Sequence, residues 1–193
     1  MTATLRHLLI QRAARLQERP ALTTPEWGTL DYFQFRNRAE GVALGLMVRP
    51  LTVDSVFSAT GTAWDWISEV AAACCGLQWD PAGARIEAPI QGGARFNDEG
   101  GRQAYHDREH DLDADTILWA GISQGELLRR LQRLNRHLGW DHDTHLTLPI
   151  SSVPTPEGRA ALWSAMFAGA HAELIASVHT DWDSAPFTGF FSE

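Results

Sequence analysis

The sequence predicts an α/β fold of three layers, in which a mostly parallel sheet carries helices on both faces. Short apolar or β-branched runs alternate along the chain with longer stretches of helical periodicity, a pattern typical of βαβ units. The length of 193 residues suits one domain with a substantial core, and 44% of the residues are hydrophobic. We therefore predict that residues 1–193 form a single α/β domain.

Five stretches have the apolar spacing and the end signals of helices. The first has leucines at helical spacing from Leu5 to Leu16 and ends before Pro20. Asp31 and Gln34 are spaced as a capping box at the start of the second. The predicted helices cover residues 4–18, 31–48, 63–77, 123–138 and 156–167.

The predicted strands lie between these helices and are rich in Val, Ile, Leu and Thr. They cover residues 21–24, 53–60, 116–120, 145–150 and 173–178, with a short one near 85–88. Residues 80–113 break the pattern, because they are rich in glycine and end in a run of charged residues. We predict a long surface segment there, and an aromatic tail without clear periodicity over 181–193.

The charge balance excludes some classes of partner. The chain has 16 basic and 24 acidic residues, a formal net charge of −8. Nucleic acids and anionic membranes both favour a basic protein surface, so we expect neither as a partner. No apolar run is long enough to span a membrane and no signal-peptide core is apparent, so we expect a cytoplasmic protein.

Lysine is absent from the sequence, since all 16 basic residues are arginine. The chain therefore cannot supply a lysine for a Schiff base, for a phosphate-binding loop or for general base catalysis. Its two cysteines, Cys74 and Cys75, are adjacent in a predicted helix and poorly placed for a mutual disulfide. We expect both to be small buried side chains.

Residues 121–125 match the G-x-S-x-G motif of serine hydrolases, in which the serine lies on a sharp turn between a strand and a helix. Ser123 would be the nucleophile of a small serine esterase, with Asp143 and His179 completing an irregular triad. The same position also suits Ser123 as a helix N-cap, with Glu126 completing a capping box. The sequence leaves both interpretations open.

Two clusters of histidine and aspartate could in principle bind a divalent cation. The first comprises His106, Asp107, His110, Asp111, Asp113 and Asp115, and the second Asp141, His142, Asp143 and His145. Both fall in predicted loops and neither has the spacing of a known metal motif. We predict polar surface loops here, with no bound metal and no cofactor.

Several segments together carry a resemblance to a known family. An Arg-Pro-Ala-Leu run at 19–22 is followed by Gly-Thr-Leu-Asp-Tyr at 28–32 and by a helix that ends at 42–46. Further segments that match in order are 64–76, 122–138, 144–148 and 165–175. The pattern resembles the N-terminal part of the large domain of adenylate-forming enzymes, the superfamily of acyl-CoA synthetases and AMP-binding enzymes. The resemblance implies an α/β fold.

The resemblance also implies a phosphate-binding loop rich in Ser, Thr and Gly that ends in Pro-Lys-Gly, yet the sequence has no such segment. We therefore expect a non-catalytic remnant of an adenylate-forming enzyme that acts as a binding or scaffolding module. Its partner would be a second copy, another protein, or a small acyl or aryl ligand. Trp140, Trp182 and the three phenylalanines of the tail would form an exposed apolar patch suited to a homodimer.

Overall fold

The computed structural model describes residues 4–48, 54–87, 99–119, 121–176 and 182–192. Within these ranges helices and strands alternate along most of the chain. The helices are α1 (Leu5–Leu16), α2 (Tyr32–Val48), α3 (Trp64–Cys74), α4 (Glu99–Asp111), α5 (Gln124–Leu138) and α6 (Pro156–Ala168). The strands are β1 (Pro20–Thr24), β2 (Gly28–Asp31), β3 (Ser55–Phe57), β4 (Gln78–Trp79), β5 (Ala84–Arg85), β6 (Ile117–Trp119), β7 (Ile122–Ser123), β8 (His145–Pro149) and β9 (His171–Ile175).

The described strands are divided among three sheets. The largest has the order β2-β1-β9-β8, in which β1, β9 and β8 are parallel and β2 is the antiparallel partner of β1. The second, β4-β3-β5, is entirely parallel, and β6 and β7 form an antiparallel pair. The predicted α/β class with mostly parallel strands is confirmed.

Local capping interactions set the ends of the helices that frame the core. Thr4 and Thr155 are the N-caps of α1 and α6, and their hydroxyls accept hydrogen bonds from His7 N and Gly158 N. Helix α6 ends at Gly169, which has a φ of +84°. Such a left-handed C-cap favours glycine, since a side chain is strained there.

The core lies between the largest sheet and the helices packed on it. Leu22, Leu30, Ala172, Leu148 and Leu174 alternate with polar residues along their strands and are buried. The opposite face of this sheet carries half-exposed polar side chains, as the two-residue period of a strand requires.

Helix α4 lies within residues 80–113, for which a long surface segment is predicted. It packs against α2, and Tyr105 on it is only 4% exposed. Arg6 Nη1 donates a hydrogen bond to Tyr105 O at 2.6 Å, and its guanidinium stacks on the tyrosine ring. One buried aromatic residue therefore anchors an otherwise polar helix.

No helix in the described ranges is long and apolar enough to cross a membrane.

Candidate functional site

A buried ion pair links α3 to α6. The side chains of Glu69 and Arg159 are 7% and 2% exposed. Arg159 donates from Nε to Oε2 of Glu69 at 2.6 Å and from Nη2 to Oε1 at 2.5 Å, and Trp163 Nε1 donates to the same Oε1 at 2.8 Å. This bidentate geometry is the arrangement in which a buried guanidinium and carboxylate compensate each other best.

Two aromatic rings lie near the guanidinium of Arg159. Its central carbon lies 3.2 Å from the ring centroid of Trp119 and 5.5 Å from that of Phe191. Behind it, Trp163 packs edge-on against Trp66 at 4.9 Å between centroids. The positive charge is thus stabilised by Glu69 on one side and by π faces on the other.

One nitrogen of this guanidinium lacks a hydrogen-bond acceptor. Among the described residues, Arg159 Nη1 is buried and has no partner. A buried N–H without an acceptor is costly, so this position favours an oxygen atom from outside the described chain.

A small cavity lies beside Glu69 of the ion pair. Its walls include Glu69, Trp79, Trp119, Trp163 and Phe191. Its volume is about 10 Å³, which is room for roughly one water molecule. A larger ligand therefore requires one wall to move, and Phe191, the wall residue from the 182–192 segment, is only half-buried.

At the position at which the resemblance implies a phosphate-binding loop, strands β6 and β7 follow each other closely in sequence. Strands β6 and β7 pair antiparallel, with Trp119 opposite Ile122, so only two residues separate them. Gly121 in this turn has a φ of +85°. A connection of only two residues contains no lysine and no Ser/Thr/Gly-rich run for a triphosphate, so the residues present do not fit ATP at this position.

Ser123 caps helix α5. Its Oγ accepts a hydrogen bond from Glu126 N at 3.3 Å, and it makes no other side-chain hydrogen bond within the described residues. The Glu126 carboxylate binds Arg130 and Arg129, and these two hydrogen bonds lower its pKa to about 2. Ser123 therefore has the environment of a structural N-cap.

The other members of the predicted triad give the esterase no support. Asp143 forms an ion pair with Arg19 and lies 3.6 Å from His142. His179 lies outside the described residues. The hydrolase interpretation is therefore not supported, while the capping interpretation of Ser123 agrees with its hydrogen bond.

The predicted histidine and aspartate clusters do not form a metal centre among the described residues. In the second cluster, Asp141 accepts hydrogen bonds from Asp143 N and Thr144 Oγ1, and the bond from Asp143 N is the main cause that lowers the Asp141 pKa. Burial raises the pKa of the Cys74 thiol to about 12, so it is unreactive near neutral pH.

The aromatic residues predicted to form an exposed patch are instead buried or partly buried. Phe187 is buried and packs on Trp140 at 5.7 Å, while Trp182, Phe190 and Phe191 are partly buried against the core. Among the described residues, Phe33 and Val48 are the large hydrophobic side chains classed as exposed. The segment folds back because its rings find aromatic partners on the same chain.

Sequence reasoning singled out neither Glu69 nor Arg159. Each lies in a correctly predicted helix and is followed by a run of small or apolar residues that begins at Val70 or Ala160. An isolated charge within such a buried helical stretch usually needs a partner of opposite charge. The sequence therefore indicates that each residue needs a partner, but it does not indicate that the two residues pair with each other.

Comparison with known proteins supports the fold. No known family and no curated protein sequence matches the chain. Three similar solved structures are ATP-bound MatB from Rhodopseudomonas palustris, the NpsA N-terminal subdomain from Klebsiella oxytoca and the N-terminal domain of FACL13 from Mycobacterium tuberculosis. Their sequence identities are 14%, 13% and 12%, and their TM-scores are 0.62, 0.60 and 0.63.

These matches cover 90%, 92% and 92% of this chain but only 45%, 55% and 58% of theirs. The chain thus spans roughly half the length of the structures it resembles. Its fold is that of the N-terminal subdomain of adenylate-forming enzymes, so the resemblance in the sequence is confirmed at the level of fold.

Proposed function

We propose that this chain is a non-catalytic binding module that uses the adenylate-forming N-terminal fold to hold a small aryl acid. The observation that carries the proposal is the buried Arg159 guanidinium, which is fixed by Glu69, stacked on Trp119 and left with its Nη1 amino group unpartnered, while Glu69 and Trp119 both line a small apolar cavity. An aromatic ring would replace apolar contacts in the cavity, and an acid oxygen would accept a hydrogen bond from Nη1 of Arg159.

The similar structures agree with this ligand class. Two structures of the NpsA N-terminal subdomain are complexes with 3-hydroxyanthranilyl-AMSN and 3-hydroxybenzoyl-AMSN, both of which carry an aryl group. The subdomain of that protein is therefore compatible with an aryl ligand. These two complexes, whose proteins are 13% and 12% identical to this chain, guide the choice of an aryl acid as the probe.

The proposal excludes adenylation by this chain on two grounds. The chain has no lysine, and the β6–β7 turn does not fit a triphosphate. We also propose that the protein is cytoplasmic and forms a homodimer. Cell fractionation and sedimentation equilibrium test these two points, and a monomer at micromolar concentration would contradict the second.

Titration with 3-hydroxybenzoate tests the binding site. We expect a dissociation constant of about 1 mM, which is ordinary for a ligand of this size, with shifts of the indole N–H signals of Trp119 and Trp163 in NMR spectra. Replacing Trp119 by leucine should weaken binding. The matched control is Trp27→Leu, because Trp27 stacks on Arg38 away from this site.

Two results would exclude this function. One is the absence of any shift in both the wild type and a Phe191→Ala variant, in which the cavity is enlarged. The other is equal loss of affinity in Trp119→Leu and Trp27→Leu, since a specific site predicts a loss in the first alone.

A further inference from the structure

We propose that residues 182–192 form a self-occupying strap, which places Phe191 in the aryl site and must move aside before a ligand enters. This inference rests on the proposed function and adds its regulation. The ring of Phe191 occupies one wall of the cavity, and Arg130 on α5 is the latch that holds it there.

Phe191 already makes the contacts expected of an aromatic ligand. Its ring centroid lies 5.6 Å from that of Trp119 and 5.5 Å from the guanidinium carbon of Arg159. What a phenylalanine side chain cannot supply is an acceptor, and Arg159 Nη1 is without one. The strap therefore fills the apolar part of the site and leaves its polar part unsatisfied.

Arg130 holds the strap through its backbone. Its Nη1 donates to Phe190 O at 2.7 Å and to Ser192 O at 2.8 Å, while its Nε donates to Glu126 at 2.9 Å. Both strap carbonyls flank Phe191 in sequence. The guanidinium thus fixes the backbone on either side of the inserted ring.

Only the last part of the strap needs to move. Phe187 is 2% exposed and packs on Trp140, so it anchors the beginning of the movable part. Gly189 follows with a φ of +73°, and no atom lies within 4 Å of where a Cβ would be. A pivot at Gly189 would carry Phe190, Phe191 and Ser192 away while Phe187 stays in place.

Only molecules with an open strap can bind the ligand. The apparent affinity is therefore the affinity of the open state multiplied by the fraction of molecules that are open. Weakening the latch should therefore tighten ligand binding, although no residue of the ligand site changes. Tighter binding is unusual for a mutation outside the ligand site and distinguishes a latch from a merely stabilising contact.

The test compares Arg130→Gln with Arg133→Gln. Both arginines pair with Glu126, but only Arg130 contacts the strap, so Arg133→Gln is the matched control. The probe is 3-hydroxybenzoate, titrated into the wild type, both arginine variants and Phe191→Ala. Hydrogen–deuterium exchange of residues 188–192 is followed in the same samples.

We expect Arg130→Gln and Phe191→Ala to bind the probe about tenfold more tightly than the wild type, because two charge-assisted hydrogen bonds or the inserted ring are lost. Arg133→Gln should match the wild type. Saturating probe should also speed exchange of residues 188–192 in the wild type.

The two proposals fail in different ways. Equal affinity of wild type, Arg130→Gln and Phe191→Ala would overturn the strap and leave the binding function intact. If the wild type binds the probe without faster hydrogen exchange at residues 188–192, the strap is likewise overturned and the binding function stands. Failure of all four proteins to bind would overturn the binding function itself.

Discussion

At the scale of single residues, Glu69 is the side chain on which the site depends most. It accepts three hydrogen bonds, two from Arg159 and one from Trp163, in a nearly fully buried position. Removing one partner of a buried ion pair leaves an uncompensated charge in a medium of low dielectric.

We therefore predict that Glu69→Gln lowers the free energy of unfolding by about 3–5 kcal/mol, measured by urea denaturation. The control is Glu40→Gln, which breaks a half-exposed i,i+4 pair with Arg36 and should cost under about 1 kcal/mol. Similar losses in the two variants would show that the buried pair has no special role.

A second prediction at this scale concerns pH. The rings of His145 and His171 stack at 4.5 Å on the polar face of the largest sheet, and Glu173 lies 3.1 Å from His145. Burial, reinforced by His145 and opposed by Glu173, lowers the pKa of His171 below its usual value. The unfolded chain thus binds a proton at His171 more readily than the folded chain does.

The resulting contribution to stability is complete above about pH 6.5 and is lost as the pH falls from there through the folded-state pKa. His171→Gln should flatten this part of the curve of unfolding free energy against pH. An unchanged slope in His171→Gln would refute the assignment.

At the scale of elements, the backbone at the start of α6 packs closely against the backbone of the turn that precedes it. A Cβ at Gly158 would lie 2.0 Å from Ser152 O, a backbone atom of the preceding 3-10 turn. The same helix carries Arg159 and Trp163, so its placement positions the site.

Gly158→Ala should therefore destabilise the protein by at least about 2 kcal/mol, since the backbone must shift to admit the methyl group. Gly41→Ala in α2 is the control with the opposite expected sign, because a Cβ there would meet no atom within 4 Å apart from its chain neighbours and the backbone of its own helix. It should gain about 0.5–1 kcal/mol from helix propensity. Thermal unfolding distinguishes the two, and the same sign for both would contradict this packing.

The helices and strands also show which parts of the fold can be predicted from the sequence. Helices with a continuous apolar stripe or alanine-rich core, such as α1, α3 and α5, were predicted close to their observed bounds. Helix α4 was missed because its packing depends on Tyr105 in a polar sequence, and tertiary contact supplies what periodicity does not. Pairing among strands of two to five residues is likewise set by long-range contacts, so the division into three sheets was not foreseen.

At the scale of the whole molecule, the fold was easier to predict than the site. The segments that carried the family resemblance follow local patterns, which a sequence retains at low identity. The Glu69–Arg159 pair joins residues 90 positions apart, and the strap returns to α5 across 60 positions. No local pattern encodes such contacts.

We predict that the chain alone releases no pyrophosphate from Mg-ATP in the presence of 3-hydroxybenzoate, because the β6–β7 turn gives the phosphates no cradle. A coupled pyrophosphate assay checks this, with a complete adenylate-forming enzyme as the positive control. Turnover that depends on both ATP and the acid would refute the proposal that the chain is non-catalytic.

The most direct measurement is an intermolecular NOE experiment with 3-hydroxybenzoate and isotopically labelled protein. We predict NOEs from the aryl protons of the probe to the indole protons of Trp119 and Trp163, together with displacement of the Phe191 ring signals. NOEs confined to another surface, or a bound probe with Phe191 still packed on Trp119, would contradict an aryl site above the Glu69–Arg159 ion pair.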